Sequence, residues 1–179
     1  MKNAIAIRGL RKDYGAFRLE DVSFDVPGGA IVGLIGENGA GKSTTIKCIL
    51  NLIRRDGGEI ALLERDNIAD ERQVKQDIGV VLDESTFHDT LRPADVEAIL
   101  RRLYKTWDRA LFAAYLEKFG LPRNKLIKEF SRGMKMKLSI AAALAHRPRL
   151  LILDGATSGL DPVVRDEVLD EFLGFIADE

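Results

Sequence analysis

The sequence predicts an α/β fold, a core of strands and helices with a helical subdomain inserted in it. Three observations predict this. A short apolar run at 30–35 (AIVGLI) leads into a glycine-rich loop and then into apolar residues at helical spacing. A second apolar run at 150–153 (LLIL) leads through Asp154 into another helical stretch. Between these two strand–loop–helix units, residues 93 to 119 are helical in periodicity throughout.

Taken in order, residues 4–8 and 16–26 read as strands, with Val22, Phe24 and Val26 alternating with polar neighbours. Pro27-Gly28-Gly29 is a turn. The run 30–35 reads as a buried strand, because a strand covered on both faces is apolar without alternation. Ile46, Ile49, Leu50 and Ile53 mark the helix after the loop, stopped by Asp56-Gly57-Gly58; 59–63 and 77–82 read as further strands. In the helical block, Val96, Ile99, Leu100 and Leu103 mark one face and Phe112, Tyr115, Leu116 and Phe119 another, ending at Gly120-Leu121-Pro122. Ser131 is placed to cap a helix whose stripe is Leu138, Ala141, Ala142 and Ala145. Pro162 opens the last helix, with Val164, Val168, Phe172 and Phe175 inward.

Composition sets bounds on function. The chain has 179 residues, enough for one domain with a sizeable core. Its 27 basic and 28 acidic residues leave a net charge of -1, which does not favour a polyanion such as DNA. Cys48 is the sole cysteine, so no internal disulfide or thiol metal site is expected, and a reducing cytoplasm is the default. No run approaches the roughly 18 apolar residues of a membrane helix. If the protein moves something across a membrane, another chain is expected to supply the channel.

Residues 36–43, GENGAGKS, fit the phosphate-loop pattern G-x-x-x-x-G-K-[ST], with the strand before and helix after that the pattern requires. Gly36, Gly39 and Gly41 let the backbone turn tightly, so that its N–H groups face phosphate oxygens. The helix start adds its positive dipole end, Lys42 reaches the β/γ-phosphates, and Ser43 offers a hydroxyl to Mg²⁺. A plain glycine-rich turn would need neither Lys42 nor Ser43 in register. Asp154, ending an apolar strand, is either a simple strand-end aspartate or a carboxylate that holds Mg²⁺ through its water shell; beside a phosphate loop the second reading prevails.

Three segments, GENGAGKST (36–44), FSRGM (130–134) and LLILDGATSGLDP (150–162), occur in the order and spacing of the phosphate loop (Walker A), signature, Walker B and D-loop of ATP-binding cassette (ABC) ATPases, which the chain resembles from Met1 to Glu179. The resemblance implies a P-loop NTPase core, an N-terminal antiparallel β subdomain, an inserted helical subdomain at about 84–130 that docks on a membrane partner, and a further core strand that would follow the last helix. It implies that ATP is held by Gly36, Glu37, Asn38, Gly39, Ala40, Gly41, Lys42, Ser43 and Thr44, with Tyr14 stacked on adenine. Ser43, Asp154 and Asp83 are the implied Mg²⁺ ligands; Lys42, Asp154 and Asp83 carry the implied catalysis. Ser131 and Gly133 would meet the γ-phosphate held by a second copy, in a head-to-tail dimer touching through Ser158–Asp161. Exposed apolar residues such as Trp107 could meet the membrane partner, although core packing is the commoner use of any one of them.

Four departures from the family pattern bear on activity. Gly155 stands where a glutamate usually positions the attacking water, and glycine cannot accept a proton. Asp83, followed by Glu84, stands in place of the Q-loop glutamine. Arg132 and Met134 alter the signature. The switch histidine is absent, and His88 and His146 both read as surface histidines. The expected function is the ATP-binding subunit of a bacterial ABC-2-like exporter, at the cytoplasmic face of the membrane through a separate permease. The alternative, motivated by Gly155, is an ATP-gated dimerisation clamp that binds ATP without efficient hydrolysis. An ABC ATPase of translation or DNA repair ranks third, because those usually carry two cassettes or long coiled coils.

Overall fold

The computed structural model describes residues 2–83, 87–156 and 160–177. It divides into two compact units, one running to Lys75 and the other from Gln76 onward.

The first unit is built on an antiparallel sheet in the order β2-β1-β3-β4, with β1 at Asn3–Asp13, β2 at Arg18–Pro27, β3 at Gly57–Leu62 and β4 at Arg65–Asp66. β1 is central, with Ile7 opposite Phe24 on one side and Ile60 on the other. Its residues Ile5, Ile7 and Leu10 are buried, with Ile5 opposite Leu62 and Ile7 opposite Ile60, and the helix α1 (Lys42–Ile49) of the same unit buries Ile46, Cys48 and Ile49. The antiparallel subdomain implied by the resemblance is therefore present.

α1 is shorter than the apolar spacing suggests. It ends at Ile49, and Asn51 takes a left-handed φ of 53°, so Ile53 is outside the helix and Gly57-Gly58 opens β3 instead of stopping α1. The Asn67 side chain, 2% exposed, closes the helix end: its amide donates to Cys48 O and Ile49 O, both at 2.9 Å. Carbonyls of a last helical turn lack intrahelical donors, and a buried amide supplies them.

The apolar run 30–35 is not a buried strand. Among the described residues it has no strand partner, and Ile31, Val32, Leu34 and Ile35 are exposed, Ile35 at 94%. A strand exists only where a neighbour takes up its N–H and C=O groups, and an apolar sequence does not provide one.

In the second unit, β5 (Ile78–Leu82) and β6 (Leu150–Asp154) pair in parallel, Ile78 with Leu150 through Leu82 with Asp154. α2 (Glu71–Asp77) precedes β5. The helical block forms α3 (Pro93–Leu103) and α4 (Arg109–Lys118). Asp95 accepts from the Arg92 N–H and Pro93 fills the first turn of α3; Asp108 caps α4 by accepting from the Leu111 N–H at 2.9 Å. Only Val96 of the expected α3 face is fully buried; Ile99 and Leu103 are exposed. The carboxylate of Glu97, also buried, is held by Arg109 and Arg123.

α5 (Arg132–Leu144) is the central helix of this unit, with Leu138, Ala141, Ala142 and the C-cap residue Ala145 all buried as the stripe requires, and Ile140 buried besides. Close approach to β5 depends on Gly79, where a Cβ would stand 2.9 Å from Ala143 O and from a Leu151 methyl. α6 (Pro162–Ala177) adds Val168 and Phe172 to the core. Trp107 packs inside, its ring 5.2 Å from Phe112, so it serves the core.

His146 is not a surface residue. It is 1% exposed, stacked at 3.9 Å on Tyr104, with Nε2 at 3.0 Å from Ile78 O. It lies four residues beyond Ala142, just past the end of α5 and in line with its apolar stripe, and that spacing is the signal for its burial. His88 is exposed. Among the described residues, no helix is long and apolar enough to cross a membrane.

Candidate functional site

The first unit carries the phosphate loop. Residues 36–41 lead into α1 at Lys42, with left-handed φ values of 85° at Gly39 and 93° at Gly41. At Gly41 glycine is required twice over: besides its φ, a Cβ there would stand 2.4 Å from a Leu19 methyl and 2.8 Å from the Phe17 ring. Gly36 faces Ala40, whose N–H donates to Glu37 O at 3.1 Å, and these residues with Asn38 are exposed. Lys42 lies across the loop and donates to Gly36 O at 2.6 Å and Glu37 O at 2.8 Å. Ser43 and Thr44 occupy the first turn of α1, and Thr45 N–H donates to Gly41 O at 2.8 Å. A tight exposed loop, glycines at the left-handed positions, a helix start and a lysine inside the loop suit a polyphosphate.

Tyr14 sits on the β1–β2 turn, its N–H donating to Phe17 O at 2.9 Å. Its ring is 53% exposed, with Lys12 Nζ 5.2 Å from the centroid. Because Phe17 and Leu19 press on Gly41, the turn that bears Tyr14 is anchored to the phosphate loop within the same unit. A half-exposed aromatic ring held beside a phosphate loop suits a nucleobase.

The second unit carries the carboxylates and the signature segment. Leu82 pairs with Asp154, so Asp83 and Gly155 are the next residues past two adjacent parallel strand ends. Ligands of parallel α/β sheets bind at that carboxyl edge. Asp83 accepts from Arg132 at 2.6 Å, the two side chains 49% and 55% exposed. At such exposure the pair contributes at most about 1 kcal/mol to stability. Gly155 has φ 66°, and a Cβ there would stand 2.9 Å from Asp83 Cβ and 3.3 Å from its Cγ. Three of the four departures from the family pattern, Asp83, Arg132 and Gly155, are thus one cluster, which no sequence spacing reveals.

Ser131 caps α5 by accepting from the Met134 N–H at 3.2 Å, and Gly133 faces Val164 of α6. Asp161 accepts from the Val164 N–H at 3.0 Å, so the end of the expected D-loop is also the cap of α6. Glu84, Ser158 and Gly159 lie outside the described residues. Among the described residues, no three His, Cys, Asp or Glu side chains gather as a metal cluster.

A P-loop α/β chain with a signature helix defines a nucleotide-binding cassette, and comparison with known proteins agrees. Residues 19–158 match the ABC transporter family model, and the chain belongs to that family. It is 37% identical over 173 residues to the daunorubicin/doxorubicin resistance ATP-binding protein DrrA of Streptomyces peucetius, covering 93% of this chain and 52% of that protein. It is 35% identical to the bacitracin transport ATP-binding protein BcrA of Bacillus licheniformis, covering 91% and 54%. A solved ATP-binding subunit of an ABC transporter superposes with a TM-score of 0.87 at 28% identity, over 98% of this chain and 75% of that one. The chain spans about half the length of the curated relatives named here. These likenesses are to ATP-binding subunits of transporters, and they lend nothing to the non-hydrolysing clamp that Gly155 suggested.

Proposed function

We propose that this chain is the ATP-binding part of an ABC-2-like exporter, coupling ATP binding and hydrolysis to export through a separate membrane-spanning permease. The observation that carries the proposal is the phosphate loop, with Gly39 and Gly41 in left-handed conformations and Lys42 folded across it at the start of α1. The names of the relatives point the same way, since they are drug-resistance and bacitracin-transport ATP-binding proteins.

Residues 36–44 would hold the phosphates through backbone N–H groups, Lys42 and the dipole of α1, and Tyr14 would stack on adenine. Ser43 would supply a hydroxyl to Mg²⁺, and Asp154 and Asp83 would be its carboxylates, the hard oxygen donors that this ion prefers. Bound Mg²⁺ neutralises charge on the phosphates. Ser131 and Gly133, at a helix start, would face the γ-phosphate of a second cassette in a head-to-tail dimer with two ATP molecules between the subunits. Residues of about 84–130 would form the helical subdomain that meets the permease at the cytoplasmic face of the membrane.

Mg-ATP binding measured by calorimetry, with Lys42→Ala as control, tests this reading. The expected result is binding that weakens at least about 10-fold in the variant, since Lys42 is the one loop side chain that brings full positive charge to the phosphates. Equal binding by both proteins would overturn it.

A further inference from the structure

We propose that Lys12 and Asp56 are positioning residues of the base subsite: Lys12, held by Asp56, covers one face of the Tyr14 ring and leaves the other for a single nucleobase. The inference rests on the ATP-binding reading above and deepens it, and every residue it uses lies in the first unit.

The ammonium is where such a role needs it. Lys12 Nζ stands over the Tyr14 ring, 5.2 Å from its centroid. That is within the roughly 6 Å at which the negative face of an aromatic ring attracts a cation. A base cannot enter the face that the ammonium occupies. The Lys12 side chain is 15% exposed and Tyr14 is 53% exposed, so the covered face is turned toward the protein and the exposed part of the ring lies away from it. Partial burial also strengthens the attraction, because the cation has shed some of its hydration.

Asp56 fixes the cation. Its Oδ1 accepts from Lys12 Nζ at 3.1 Å and its Oδ2 from the Asp13 N–H at 2.8 Å. Its own N–H donates to Arg11 O at 2.8 Å. One residue at the entry to β3 thus grips the β1 backbone on both sides of Lys12, and the Lys12 side chain as well. The Asp13 N–H, and after it Lys12, hold the Asp56 carboxyl below its ordinary pKa, so Asp56 is a full anion at neutral pH.

Asp13 carries the constraint into the turn. Its Oδ1 accepts from the Gly15 N–H at 2.6 Å, and its Oδ2 pairs with Arg18 Nε at 2.9 Å. Tyr14 lies inside this brace. Its position is therefore set from β1 and β3 on one side of the turn, while Phe17 and Leu19 on the other press on Gly41 of the phosphate loop.

The test uses the full chain and two probes, Mg-ATP and inorganic tripolyphosphate with Mg²⁺, the second of which has no base. Calorimetry measures the binding of each. Tyr14→Ala is expected to weaken ATP binding at least about 5-fold, the usual loss of one stacked base, with tripolyphosphate bound as before. Lys12→Met keeps the stem and removes the charge; it weakens ATP binding about 3-fold and leaves tripolyphosphate binding unchanged. Asp56→Asn acts in the same direction by less. Lys12→Arg recovers part of the Lys12→Met loss, since a guanidinium also rests on an aromatic face. On the Tyr14→Ala background Lys12→Met adds nothing, because the contact it removes is already gone. Unchanged tripolyphosphate binding also shows that a variant keeps its phosphate loop folded. ATP binding unmoved by Lys12→Met would overturn the proposal. So would equal weakening of both probes, which would put the ammonium on the phosphates, or full additivity of the Lys12 and Tyr14 losses. Binding of both probes undiminished in Lys42→Ala would instead overturn the ATP reading beneath it.

Discussion

Individual glycines in this chain answer to different constraints, and stability measurements separate them. Gly29 and Gly58 both have left-handed φ, 69° and 85°. A Cβ at Gly29 meets nothing within 4 Å, whereas at Gly58 it would stand 2.3 Å from Gly9 O and 2.5 Å from Gly9 C, the backbone of the neighbouring strand. Gly29→Ala is therefore expected to cost about 1 kcal/mol, from the backbone conformation alone. Gly58→Ala should cost more than about 3 kcal/mol, because β1 and β3 must separate to admit the methyl. Urea titrations of the two variants check this, and equal losses would show that β3 shifts at little cost. Sequence marks both residues as turn glycines; the approach of Gly9 to Gly58 is visible only once β1 and β3 are paired. The same limit hid the Asp83–Arg132–Gly155 cluster, whose members are separated by 49 residues between Asp83 and Arg132.

At the scale of elements, the sequence was most legible where periodicity, caps and motif coincide. α5 follows from Ser131 and its alanine stripe, α6 from Asp161-Pro162, and β6 from an apolar run closed by Asp154. It was least legible where an element depends on a partner: the run 30–35 has strand composition but no strand beside it among the described residues, and α1 is closed by an asparagine 18 residues beyond its end. That closure is open to test. Asn67→Ala removes the amide that donates to Cys48 O and Ile49 O and the acceptor of Arg55. Cys48 O keeps the Asn51 N–H, at 3.1 Å, but the buried helix end loses both amide bonds. The expected loss is about 2 kcal/mol, the usual cost of stranding a buried polar group. Hydrogen exchange should speed most at the last-turn amides of α1, and protection unchanged there would mean that the Asn51 turn alone ends the helix.

The stability of the whole molecule should carry the signature of one buried imidazole. Burial pushes the His146 pKa below its ordinary 6.5, an effect that the backbone of Ile78 and of Ala142 and the charge of Asp77 only partly oppose. Nε2 donates to Ile78 O, and Nδ1 has no hydrogen-bond partner, so the neutral ring fits the site as it stands. The sign follows from proton linkage. In the unfolded chain the ring binds a proton as pH falls through about 6.5, while the folded ring resists it, so unfolding takes up a proton over that range. The contribution of His146 is thus fully present above about pH 6.5 and declines as pH falls below it, until the folded ring is itself protonated. His146→Phe keeps a flat ring against Tyr104 and removes the proton site. Although the variant loses the bond to Ile78 O and starts from a lower stability, it should lose less between about pH 7.5 and pH 5 than the unchanged protein does. Denaturant titrations across that range measure the two slopes, with the carboxylates contributing alike to both. Parallel slopes would mean that His146 takes up its proton as readily in the folded protein as in the unfolded chain, through an opening of the Tyr104 stack that the native arrangement does not show.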